Sequence, residues 1–174
     1  MSLATDLLDQ ADQLAKQGPK HPKQANLRRA VSAAYYALFH LLAEAAARQF
    51  AAQCGRSDGV TVSRITRSFA HAEMKKVSDK FVNSELPTAL QPSTIDEYQV
   101  PNDLILVAVA FGALYQARQD ADYDTGKPLT RPEALKQIEK AKQAFAAWER
   151  VKVTDDARMY LACFSLWDKW NIKR

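Results

Sequence analysis

The chain has 174 residues, 47% hydrophobic and 25% charged, enough for one domain with a real core and short of a comfortable two. Its net charge of +4 and pI near 9.1 suit a polyanionic partner but fall short of the dense basic blocks of a nucleic-acid-binding tail. Five glycines leave little material for hairpins, so the composition leans helical.

Leu3, Leu7, Leu8, Ala11 and Leu14 recur at helical spacing and predict a first helix over about Ala4 to Lys16, closed by Gly18, Pro19 and Pro22 in "QGPKHPK". The acids in "MSLATDLLDQ" stand where an export signal needs a basic flank and an apolar centre, so no such signal is read there. A second helix is expected from roughly Lys23 to Gln53, with Leu27, Val31, Ala34, Tyr35, Leu38, Leu42 and Ala45 on one face. At about 1.5 Å per residue it would span on the order of 45 Å and form the spine of the fold. Beside that stripe, Arg29, Ala33, Tyr36 and His40 share another face. Such a histidine is more often a satisfied core residue than an acid or base.

"CGRSDGVTVSR" is expected to be a loop. A third helix should run from about Arg64 or Phe69 to Asn83, placing Arg64, Arg67 and His71 on one side with Lys75 as a basic edge. That edge is either a solvated face or a phosphate-binding one, since arginine's planar fork fits phosphate oxygens. "SELPTALQPSTIDEYQVP" reads as an ordered loop with a helical turn near Thr94 to Tyr98.

The fourth helix should begin near Pro101 or Asn102 and run to about Asp122. Its apolar run "LILVAVAFGALYQA", Leu104 to Ala117, is about 14 residues against the roughly 20 that span a bilayer, so a buried core helix is the better reading. Leu104, Ala108, Phe111, Tyr115, Arg118 and Asp122 lie on one face, so a buried stripe turns charged in "LYQARQDADYD". Charges there need partners. Either an Arg118–Asp122 pair or an Asp122 cap pins the helix to its neighbour, or these residues line a polar pocket near the end of the helix.

Thr130 and Glu133 in "TRPE" have capping-box spacing and predict a fifth helix to about Arg150. A sixth follows in "TDDARMYLACFSLWDKW", with Thr154 as its cap and Tyr160, Phe164 and Trp167 as its apolar edge. The expectation is an all-α, up-and-down bundle of about five to six helices. Residues 1–150 would form the bundle, and 151–174 a helical extension packed on it.

No glycine-rich phosphate loop, HExxH, CxxC pair or GxSxG occurs, and three histidines with few clustered carboxylates give no metal site and imply no cofactor. Cys54 and Cys163 lack metal-ligand spacing and read as reduced thiols, which points to the cytoplasm.

"LRRAVSAAYYALFHLL" (Leu27 to Leu42), "HAEMKKVSDKF" (His71 to Phe81) and "LYQARQDADYD" (Leu114 to Asp124), in that order and followed by a capped helix, resemble the HEPN superfamily. The likeness is to its small prokaryotic branch, with a YYAxFH helix and an RxxADY ending, over roughly Asp6 to Trp148. It implies a bundle that homodimerises, with polar residues of both subunits in a shared cleft. Many such proteins are metal-independent endoribonucleases, often toxins paired with an antitoxin or nucleotidyltransferase; others are inactive RNA- or nucleotide-binding modules.

By that resemblance Arg118 matches the signature arginine, which would stabilise charge on the phosphate as the RNA 2′-OH attacks. The position five further on is Tyr123 where the motif carries histidine, leaving His40 and His71 as the candidates for proton transfer. The expected cleft is lined by Arg118, Asp122, Tyr123, Tyr36, His40 and His71, with Arg64 and Arg67 as further nucleic-acid contacts. The rival expectation is a noncatalytic homodimer whose Arg118, Asp122 and Tyr123 are structural and whose work is to hold a partner protein.

Overall fold

The computed structural model describes residues 2–18, 20–90 and 98–170. Among them the chain is an all-α helical bundle of seven α-helices: α1 (Leu3–Lys16), α2 (Gln24–Gln53), α3 (Gly59–Thr66), α4 (His71–Val82), α5 (Asn102–Tyr123), α6 (Arg131–Val151) and α7 (Asp155–Trp170). A 3₁₀ turn covers Thr88–Leu90. The chain divides into two compact units. The first comprises Met1–Leu41 and Ala110–Ala146; the second comprises Leu42–Val109 and Ala147–Arg174.

In the first unit, α1 starts in a capping box. The Thr5 amide donates to Ser2 Oγ at 3.3 Å while the Ser2 amide donates to Thr5 Oγ1 at 3.0 Å. The α2 stretch that follows is apolar around most of its circumference, and every residue from Ala30 to Tyr35 is buried. Alanines at 30, 33, 34 and 37 on α2 and at 141 and 144 on α6 supply much of the buried surface. Such small side chains let helices approach toward the short end of the usual interaxial range of about 8–10 Å. Tyr35 is the large exception. Its fully buried ring meets Phe111 at 5.7 Å and Tyr115 at 5.9 Å, centroid to centroid, the latter edge-on. Leu27, Val31, Ala121 and Ala134 form a smaller cluster, with Ala117 and Leu129 against it.

Arg28 closes the C-terminal end of α5. Its Nη1 donates to the carbonyls of Ala121 and Asp124 at 2.8 Å each, and its Nη2 to Lys127 O at 2.7 Å. These are carbonyls that the end of a helix and the turn after it leave without partners, and α5 has no basic residue of its own in its last turn. Gln24 clasps the start of the next segment, donating to Leu129 O and accepting from Leu129 N, both at 2.8 Å.

In the second unit α7 packs on α4. The buried Ser78 and Tyr160 hydroxyls meet at 2.6 Å, and Tyr160 stacks edge-on with Phe81 and Phe164 at 4.9 and 4.7 Å. Arg150 forks onto Asp103 with bonds of 2.9 and 2.5 Å, and Lys76 reaches Asp168 at 2.5 Å.

Three helix assignments from sequence need correction or adjustment. The single helix expected from Arg64 or Phe69 to Asn83 is two, α3 and α4, separated at Arg67 to Ala70. The supposed loop at 54–64 holds the start of α3 because Asp58 caps it, accepting the Thr61 amide at 2.9 Å and the Thr61 hydroxyl at 2.7 Å. The helix count is consequently seven rather than five or six. The helical turn expected near Thr94 to Tyr98 falls mostly outside the described residues. Among the described residues, α2 is the one helix long and apolar enough to cross a bilayer, not Leu104 to Ala117, yet 72% of its most apolar window is buried inside the protein.

Candidate functional site

The polar end of α5 meets the face of α2 that carries Tyr36. Arg118 Nε lies 2.8 Å from Asp122 Oδ2, one helical turn on. The N–H does not point along that contact, so this is an ion pair rather than an aligned hydrogen bond. Arg118 Nη2 donates to the Tyr36 hydroxyl at 3.0 Å. The guanidinium carbon lies 5.6 Å from the ring centroid of Tyr36 and 5.6 Å from that of Tyr123. Arg118 is therefore held by a carboxylate, a phenol and two aromatic rings.

Burial works against charge on Arg118, but the oxygens of Tyr36 and Asp122 outweigh it and raise the pKa above its ordinary value. The guanidinium stays charged. Its side chain is 19% exposed and that of Asp122 26%, so the pair sits partly sheltered from water. Among the described residues Nη1 makes no hydrogen bond.

Asp122 is doubly committed, since its Oδ1 accepts from Ser32 Oγ at 2.6 Å. Ser32 is one of the few buried polar residues, set among the alanines of α2, and its hydroxyl also approaches Arg28 O at 3.2 Å. Sequence reading missed Ser32. Its only signal was a polar residue inside an otherwise apolar helical run, and serine bonding its own helix backbone is common enough to blunt that signal.

His40 follows Tyr36 by one turn, with ring centroids 6.4 Å apart, and meets Phe39 edge-on at 5.3 Å. The first unit thus brings together Arg118, Asp122, Tyr123 and Tyr36, with His40 beside Tyr36. Arg64, Arg67 and His71 belong to the second unit. They do not form the continuous basic edge expected of one helix: Arg64 is in the last turn of α3, Arg67 caps its C-terminus, and His71 opens α4. The break removes the steps of three and four that would align them.

Two cavities adjoin the cluster within the first unit. One, of about 450 Å³, lies between α1 and α2 and is walled by Leu7, Gln10 and Leu14 on one side and by Arg29, Ser32 and Tyr36 on the other. The second, of about 350 Å³, is lined by Arg28, Arg29 and Asp122 among others. A fixed cation flanked by aromatic rings and open clefts is an arrangement that can take a phosphate or another anion. No family model, curated protein or solved structure matches this chain.

Proposed function

We propose that the chain is a HEPN-like protein that binds RNA or a nucleotide through the cluster around Arg118, with metal-independent endoribonuclease activity, as in toxin–antitoxin systems, as the stronger form of this reading. The observation that carries it is the state of Arg118: a sheltered, charged guanidinium 5.6 Å from each of two tyrosine ring centroids, with Nη1 open to a further acceptor. The motifs that resemble the family, the YYAxFH segment of α2 and the RxxADY end of α5, supply those same residues. Arginine would neutralise a phosphate oxygen, the tyrosines would stack on bases or bond to phosphate, and His40, one turn from Tyr36, would be the histidine to carry a proton.

The test is equilibrium binding of a labelled single-stranded RNA at rising salt. Phosphate-driven binding must weaken steeply, and absence of binding at low salt refutes the reading. The catalytic form predicts RNA cleavage in the presence of a chelator; equal RNA half-lives with wild type and Arg118→Ala refute it.

A second reading is favoured by the Asp122 and Tyr36 contacts, which already occupy two edges of Arg118. On it, the cluster is structural and the protein is a noncatalytic homodimer that holds a partner such as an antitoxin or nucleotidyltransferase. Arg118→Ala would then lower thermal stability or break the dimer and leave RNA affinity unchanged.

A further inference from the structure

We infer that the groove between α1 and α2 is a nucleotide subsite, in which Arg29 takes a phosphate of single-stranded RNA and the wall of Leu7, Leu14 and Tyr36 takes the adjoining base. This rests on the RNA-binding reading and gives the strand a path beyond Arg118.

Arg29 lacks a counter-charge on its own helix. Its neighbours at three and four residues along α2 are Ala25, Asn26, Ser32 and Ala33, so no carboxylate of its own helix faces it. It makes no hydrogen bond or ion pair among the described residues and is exposed. Arg28 is committed to three carbonyls, Arg48 to Glu44, Arg118 to Asp122 and Arg150 to Asp103, whereas Arg56, Arg64 and Arg67 share with Arg29 the lack of a side-chain partner among the described residues but line neither cavity. The nearby carboxylate of Asp122 is engaged by Ser32 and Arg118. Arg29 therefore presents an uncompensated fork of donors.

Its position gives that fork a use. Arg29 lines both cavities, the one between α1 and α2 and the one that reaches Asp122. It stands between an apolar slot and the Arg118 cluster. The slot of about 450 Å³ lies within the size range of small-molecule sites, roughly 300–1,000 Å³. Leu7 and Leu14, two turns apart on one face of α1, offer apolar contact for a base, and Tyr36, whose ring can stack on one, joins that slot to Arg118 through its hydroxyl. Gln10 between the leucines carries an amide that donates and accepts, the chemistry that reads a base edge. A polyanion with flat, edge-polar side groups fits this combination of free cation, apolar wall and amide.

The experiment measures anisotropy of a fluorescein-labelled 12-residue oligouridylate with the full chain across a salt series. Arg29→Ala removes an exposed side chain without a partner, so its circular dichroism spectrum should match wild type. Its affinity should fall about tenfold, and the slope of log K against log salt should drop by about 0.7, as for one lost phosphate contact on a single strand. Leu14→Trp, which fills the slot, should weaken binding with the slope unchanged. If both variants bind like wild type while Arg118→Ala weakens binding, the groove inference is overturned and the RNA reading stands. If wild type does not bind, both fall. If Arg29→Ala or Leu14→Trp breaks a dimer and leaves RNA affinity unchanged, the groove belongs to a second copy of the chain and the inference is overturned.

Discussion

Removing the charge of Asp122 while keeping its shape separates what the Arg118 pair does for stability from what it does for binding. Asp122→Asn retains an oxygen to accept from Ser32, which donates to Oδ1 at 2.6 Å, and removes the negative charge 2.8 Å from Arg118 Nε. At an effective dielectric of about 20, unit charges at that separation attract by roughly 6 kcal/mol before any desolvation is counted. Most of this is offset, because both groups leave water to meet. Exposed pairs net about 0.2–1 kcal/mol, whereas breaking a buried one costs about 3–5. With side chains 19% and 26% exposed, this pair lies between those limits. A coupling energy of about 1–2 kcal/mol follows from a cycle of wild type, Asp122→Asn, Arg118→Gln and the double variant, measured by urea denaturation. Coupling below about 0.3 kcal/mol would refute the pair as a structural tie. Asp122→Asn should also bind RNA more tightly, since it removes a negative charge beside the phosphate-binding cation; weaker binding by a folded variant would show that Asp122 itself makes a productive contact.

Three further outcomes follow from the same structure. Arg28→Ala should lower stability by about 1–3 kcal/mol, because three carbonyls at the end of α5 and in the following turn lose charged donors; faster hydrogen exchange at the end of α5 should accompany it, and wild-type stability would refute the cap. Asp12 is hydrogen-bonded by Lys16 and Lys142, which hold its carboxyl below the ordinary carboxylate value. Its contribution is therefore present above the unfolded pKa of about 3.9 and lost as pH falls through the lower folded value, so the Tm gap between wild type and Asp12→Asn should be full at pH 6 and vanish in strong acid. Burial pushes the Cys163 thiol up to about 12 while Cys54 is exposed, so iodoacetamide at pH 8 should label Cys54 in the native protein and both cysteines in denaturant.

The parts of the fold legible in sequence are those written locally. The α6 start is one: Glu133 Oε2 accepts the Thr130 amide at 2.8 Å and the Thr130 hydroxyl at 2.7 Å, a motif complete within four residues. The Arg118–Asp122 pair is another, since a spacing of four on a helix brings the two together whatever else the chain does. The start of α3 was equally local, in Asp58, but the glycine after it and the β-branched Val60, Thr61 and Val62 masked the cap because all have poor helix propensity. A single helix over both segments would align Arg64, Arg67 and His71 in a basic edge, which the break at Arg67 to Ala70 takes apart. Arg28 and Ser32 could not be read at all. Their partners lie about ninety residues away, and only folding shows that one closes α5 and the other tethers Asp122.

The most direct measurement is an NMR titration of isotope-labelled protein with an unlabelled 12-residue single-stranded RNA at low salt, followed by the same titration at high salt. Shift changes should concentrate at Arg29 to His40 of α2 and Arg118 to Tyr123 of α5 and fade as salt rises. Changes confined to α3 and the start of α4 around Arg64, Arg67 and His71, or none anywhere, would contradict RNA binding through the Arg118 cluster.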